Sequence, residues 1–215
     1  MKKIGRFLGG LLIAAASTVP SMASATVLKV DVGLVGQDIQ SGFVGLSGAS
    51  TSTSASGTFG GVGVAIAGLN TAGFRDRGDL TNALGDLAED FFFSTTRINL
   101  TLTNLAAGNY SLTSWSHDQS FVQSTHKITF NGTDLLSGIV ATTGTSPTAI
   151  GFGSVSFYSD GMGSDVFSFI ETSNAARGDT AVILNGFTLQ SVPEPGTVAL
   201  LGLGLLGLAL RRQRQ

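Results

Sequence analysis

Between residues 26 and 190 apolar and polar side chains alternate in short runs, the two-residue period of half-buried strands. In VLKVDVGL, Leu28, Val30, Val32 and Leu34 share one face, and in GVGVAIAG, Val62, Val64 and Ile66 do. RINLTLTNL sets Ile98, Leu100 and Leu102 against Asn99, Thr101 and Thr103. NYSLTSWS follows the turn AAGN, and HKITFNG comes next. GSVSFYS and VFSFIE flank DGMGSD, which reads as a hairpin turn, and TAVILNGFTL reads as one closing strand. About eight strands separated by turn signals predict an all-β fold, an antiparallel jelly-roll-like β-sandwich.

Two stretches depart from the alternation. In DLTNALGDLAEDFFF, Leu80, Leu84, Leu87 and Phe91 recur at helical spacing behind Asp79 as N-cap. This predicts one short helix near 80–89 capping an end of the sandwich, with Gly85 opposing it as a poor helix former. Residues 47–61, SGASTSTSASGTFGG, are polar and of low complexity, and the expectation is a flexible loop.

Both ends of the chain read as segments apart from the fold. Lys2, Lys3 and Arg6 precede an apolar run from Phe7 to Ala16, and Ala23-Ser24-Ala25 supplies small residues for cleavage. Residues 1–25 are thus expected to be a signal peptide with a helical apolar core, Ala23 and Ala25 marking its cleavage site. At the other end, Pro193-Glu194-Pro195-Gly196 precedes an apolar run over 197–210 and a basic tail, 211–215, with Arg211, Arg212 and Arg214. As a helix that run would reach about 21 Å, short of the ~30 Å hydrocarbon core. Snorkelling arginines held on the cytoplasmic side, with bilayer thinning, absorb the difference, so a short transmembrane helix is expected. The two prolines keep the preceding strip extended and accessible.

The order of these three parts, over residues 191–215, resembles the C-terminal sorting segment of bacterial PEP-CTERM proteins. The resemblance implies export through the general secretory route, a membrane-anchored intermediate, and processing at the Pro-Glu-Pro region by an exosortase, a membrane-embedded cysteine transpeptidase. It also implies a Gram-negative host and a link to extracellular polysaccharide, with the final location at the cell surface or in the extracellular matrix. More loosely, LTNLAAGNYSLTSWSHD and AVILNGFTL look like strands of galactose-binding-like β-sandwich modules, a likeness of fold that does not establish function.

Charge narrows the partners. Residues 26–190 carry six basic and thirteen acidic side chains, a net charge of −7, although the whole chain stands at −2. An acidic domain has no electrostatic footprint for nucleic acid, which is excluded as a partner. No cysteine is present, so disulfides and thiolate metal sites are excluded too.

Candidate chemistry is sparse, and no catalytic residue, metal site or cofactor is expected. GLGLLG at 202–207 spells a dinucleotide fingerprint but lacks the surrounding βαβ unit. Arg-Gly-Asp occurs at 77–79 and 177–179, where it reads as a turn sequence, and the three formal glycosylation sequons read as chance. No Gly-x-Ser-x-Gly elbow exists. His126 shares the parity of Ile128 and Phe130 and is expected to face the core. Asp160 and Asp165 in DGMGSD lack the spacing of a calcium loop. Trp115, His117 and Asp118, at a strand end where loops gather, form the candidate ligand-binding group, although Trp115 fits a core position as well as a sugar platform. Two functions follow: an exported, non-catalytic, glycan-associated surface protein, or an exported polysaccharide hydrolase using a carboxylate pair.

Overall fold

The computed structural model describes residues 27–80, 85–145, 149–172, 181–192 and Gly204. The signal peptide, Ala23 and Ala25, the Pro193–Gly196 motif, Arg211, Arg212, Arg214 and nearly all of the 197–210 run lie outside these residues, as does the second Arg-Gly-Asp. Among the described residues no helix is long and apolar enough to cross a membrane.

The chain forms β1 (Val27–Leu34), β2 (Val44–Gly48), β3 (Ser54–Phe59), β4 (Val62–Leu69), β5 (Ala72–Asp76), α1 (Gly85–Glu89), β6 (Asp90–Ser94), β7 (Arg97–Thr103) and β8 (Gly108–Asp118). There follow β9 (His126–Phe130), β10 (Thr133–Ile139), β11 (Thr142–Thr143), β12 (Gly151–Ser159), β13 (Ser164–Glu171), β14 (Val182–Leu184) and β15 (Gly186–Ser191). One six-stranded sheet runs β11-β8-β15-β1-β2, with β12 also paired to β8. The second runs β10-β9-β13-β7-β4-β3, and a three-stranded sheet, β14-β6-β5, completes the fold.

The two large sheets face each other across one core. Leu28, Val30, Leu112, Phe187 and Leu189 from the first meet Val64, Ile66, Leu100, Phe167 and Phe169 from the second, all buried. Phe157 on β12 lies 4.9 Å from Phe130 and 4.8 Å from Phe167, centroid to centroid, locking the sheets together. A fully buried ring of this size contributes about 1.5–3 kcal/mol.

Several expectations are corrected. The first sheet is mixed, because β1 pairs parallel with β2 and β11 parallel with β8. DGMGSD is no hairpin: β12 pairs with β8 in one sheet, while β13 pairs with β7 and β9 in the other. The turn carries the chain across the sandwich, with Gly161 at φ 74° and Asp160 Oδ1 accepting from the Met162 amide at 2.8 Å. The stretch 47–61 is largely ordered, since β3 pairs with β4 through a Gly60-Gly61 turn at φ 57° and 88°. Small polar residues satisfy their backbone there by pairing, while Ala55 and Phe59 pack on the core. Of the 80–89 helix, Gly85–Glu89 is helical and residues 81–84 lie outside the described set. Phe91, read at helical spacing, instead belongs to strand β6. TAVILNGFTL splits at Asn185, β14 going to the small sheet and β15 to the first large one.

Candidate functional site

The first sheet turns one face to the core and the other outward, and the outward face is built differently at its two ends. On the outer face at one end lie Gly33, Asp31 and Gly45, together with Gly186, which stands opposite Asp31. The glycines form a floor onto which a cap presses. Leu87 of α1 sits over Gly186, Ile39 sits over Gly45, and the Asp90 carboxylate sits over Gly33, each within 2.7 Å of where a β-carbon would stand.

Under this cap Asp31 and Asp90 are only 3% and 2% exposed, and both line a cavity of about 130 Å³ with Leu34, Asp38 and Ile39. Asp31 Oδ2 accepts from the Gln40 amide at 2.7 Å, whereas Asp31 Oδ1 and Asp90 Oδ1 are buried without a hydrogen-bond partner. Burial pushes Asp31 up to about 7, with the Gln40 amide opposing it. Burial also pushes Asp90 up to about 9, reinforced by the charges of Asp31, Asp76 and Glu89. Glu89 is raised by burial as well and accepts from the Leu80 amide. Sequence reasoning missed this pair because alternation along β1 places Lys29 and Asp31 on the polar side. The cover comes from the 35–43 loop that follows β1 and from β6, distant in sequence, which carries Asp90.

The three residues of the predicted ligand group lie next to one another along β8, and none forms an exposed platform. Trp115 is half-buried, packed with Leu80, Leu87, Ala88 and Ile150 and edge-on to Phe43 at 5.9 Å. His117 is buried, its Nε2–H donating to the Gly144 carbonyl at 3.0 Å and its Nδ1 2.9 Å from the Thr142 hydroxyl. Burial lowers its pKa. Asp118, also buried, takes both Nε and Nη2 of Arg77 at 3.0 Å, the Gln123 amide at 2.6 Å and the backbone N–H of Ser120 at 2.9 Å. Arg77 lies between the rings of Phe91 and Phe121, so the first Arg-Gly-Asp has its arginine committed internally. His126 faces inward as its parity predicts, and burial pushes it down to about 4, the Ser124 backbone working weakly the other way.

Asn185 joins the two regions. Its Oδ1 accepts from the His117 amide at 2.7 Å and its Nδ2 donates to the Asp90 carbonyl at 2.8 Å. Its backbone takes the Val32 amide and gives to the Trp115 carbonyl. Fully buried and fully paired, it holds the junction of β14 and β15 against the small sheet.

The other end of the outer face is open. On β12, Phe152, Ser154, Ser156 and Tyr158 alternate outward, opposite Trp115, Thr113, Ser111 and Asn109 of β8.

The last strand ends at Ser191, and residues 191–214 match the PEP-CTERM protein-sorting motif. The chain carries a PEP-CTERM sorting motif. That motif marks an exported protein, anchored in the membrane before an exosortase processes it and found at the cell surface afterwards. No curated protein matches the chain. Among solved structures, the PEP-CTERM chain is similar to the plant receptor-like kinase FER, at TM-score 0.53 and 10% identity over 79% of this chain and 43% of that one. FER in complex with the plant peptide RALF23 and LLG2 gives 0.51 and 12%, over 80% and 41%. A family 35 carbohydrate-binding module from Clostridium thermocellum gives 0.39 and 9%, over 66% of this chain and all of that module. The chain thus spans about two fifths of the plant chains, and at these identities the likeness is one of fold.

Proposed function

We propose that this is an exported cell-surface or extracellular-matrix protein whose jelly-roll-like sandwich associates with extracellular polysaccharide without acting on it chemically. The sorting motif over residues 191–214 carries this reading, because it assigns both a route and a destination. Exosortase cuts at the Pro193-Glu194-Pro195 strip, and the sandwich is left in the surface layer of a Gram-negative cell.

The open face of β12 supports the glycan contact. Phe152 and Tyr158 are 65% and 58% exposed, six residues apart on one strand, a separation of about 20 Å. Between them Ser154, Ser156 and Thr113 present hydroxyls, Thr113 donating to Ser154 at 3.0 Å. Aromatic rings offer apolar faces to the C–H side of a sugar while neighbouring hydroxyls meet its polar edge. Retention of the mature protein on host polysaccharide is the test. Loss in a Phe152→Ala/Tyr158→Ala variant is expected, and no retention of the unmutated protein would sink the glycan part. Mass spectrometry of the mature C-terminus tests the processing part, which a chain intact to Gln215 would contradict.

For the hydrolase reading, two carboxylate pairs adjoin a cavity: Asp160 and Asp165 at the turn between β12 and β13, beside one of about 320 Å³, and Asp31 and Asp90, beside the one under the cap. At about 130 Å³ the cavity under the cap falls below the ~300 Å³ usual for small-molecule sites, and Asp31 and Asp90 are almost wholly covered. That cover argues against Asp31 and Asp90 as a catalytic pair.

A further inference from the structure

We propose that Asp31 and Asp90 hold a divalent cation, calcium by preference, in the cavity beneath the 35–43 loop. Two buried carboxylate oxygens have nothing to accept from, Asp31 Oδ1 and Asp90 Oδ1, and both residues line the same small cavity. A buried carboxylate oxygen left unpaired is costly, and a cation is one of the few partners that satisfies two at once.

The charges around the pair add to the demand. Asp86 and Glu89 come from α1 and its end, Asp76 from β5 and Asp38 from the loop, all acidic. The basic side chains nearest in the fold are used elsewhere. Arg77 is paired with Asp118, Arg75 lies over Phe93 and donates to the Ser50 carbonyl, and Lys29 lies over Phe43. Among the described residues neither Asp31 nor Asp90 enters an ion pair.

The donor chemistry is that of a hard cation. Calcium takes six to eight oxygens in adaptable geometry, from carboxylates, carbonyls and water. Asp31 and Asp90 supply the buried pair, while Gln37, Asp38 and Ser47 bring further oxygens to the same cavity wall. As the chain stands, no three acidic or imidazole groups converge among the described residues, so water and loop carbonyls complete the shell. Magnesium tolerates less irregularity, which favours calcium. The cavity exceeds the volume of a few waters and is smaller than a sugar site, so a partly hydrated ion fits it.

The test uses the full-length chain in detergent, stripped with chelator and titrated with CaCl2 by calorimetry, with MgCl2 as the second arm. One calcium per chain and a raised Tm are expected, since a ligand that binds only the folded state stabilises it. Asp31→Asn and Asp90→Asn should each weaken binding at least tenfold, whereas Asp160→Asn, on the distant turn, should leave it unchanged. The Gln40 amide, which donates to Asp31 Oδ2, should shift in the NMR spectrum of the unsubstituted chain as calcium is added, a readout that does not depend on any variant folding. No calcium binding, binding that survives both substitutions, or a silent Gln40 amide would overturn the site. An equal response to magnesium would overturn the preference for calcium.

Discussion

The Asp90 carboxylate occupies the space above the Gly33 Cα, its Oδ2 1.4 Å from where a β-carbon on that glycine would stand. Glycine is required here for close approach, with no left-handed backbone involved. Gly33→Ala should therefore displace the carboxylate and lift the cap, at a cost of about 1–3 kcal/mol. Gly163, which has open space around it and no strained φ, provides the control, and Gly163→Ala should change stability by less than about 0.5 kcal/mol. Urea melts decide it, and equal midpoints for the two variants would refute the packing argument.

Asp118 and Arg77 make a second prediction. The aspartate is buried and accepts from Arg77, Gln123 and two backbone amides, so its removal strands several donors at once. Asp118→Ala should cost about 3 kcal/mol or more, the range for breaking a buried pair from one side. Asp118→Asn, which keeps one acceptor oxygen, should fall between. If both variants retained full stability while polysaccharide retention was lost, Asp118 would be a binding residue and the structural role assigned to it would be wrong.

His126 sets an acid limb on stability. Its folded value of about 4 lies below the ordinary 6.5, so the unfolded chain takes up a proton that the folded chain refuses. The contribution is complete above pH 6.5 and is lost as pH falls toward 4, about 3 kcal/mol at most for a shift of this size. Asp31, Asp90 and Glu89, raised by burial, slope the opposite way, so the comparison must be with a variant. His126→Leu should lose less stability than the unsubstituted chain between pH 7 and pH 4. Parallel curves would show that the imidazole is protonated in place.

Sequence and structure agree where one strand face settles the matter. Leu28, Val30 and Val32 on β1 and Ile98, Leu100 and Leu102 on β7 are buried as alternation requires. Agreement fails where the cover comes from elsewhere. Asp31 has the polar parity of an exposed residue, and the 35–43 loop and β6 bury it. Asn185-Gly186 is a turn dipeptide inside an apolar run, a local signal for the change of sheet that reading TAVILNGFTL as one strand passes over. Of the candidate ligand group, the position at the end of β8 was readable, but the partners that occupy His117 and Asp118 come from 77, 123, 142 and 144.

Residues 54–59 put the same issue to a measurement. Composition alone argues for a loop, yet all six residues pair with β4, from Ser54 opposite Ala67 to Phe59 opposite Val62. Strand pairing protects amides from solvent, and protection tracks the free energy of local opening. Hydrogen exchange should show the β4-facing amides of β3 exchanging far more slowly than those of the flanking 49–52 segment. Exchange at the rate of free peptide across 54–59 would restore the loop reading.

The junction between sandwich and sorting motif yields the last prediction. The Val192 amide still donates to the Asn109 carbonyl at 2.8 Å, so sheet bonding runs to the edge of the Pro193-Glu194-Pro195-Gly196 strip. Four residues span at most about 14 Å. While the apolar run anchors the chain, the folded end of the sandwich must therefore lie close to the membrane surface, crowding an enzyme that works there. A ten-residue Gly/Ser insertion after Val192 relieves that crowding, since such a linker is flexible and long compared with the strip. Pulse-chase of the exported chain should show faster processing with the insertion than without it. Identical rates would mean that the sandwich is no obstacle, either because exosortase reaches the strip from the membrane side or because cutting precedes folding of β15.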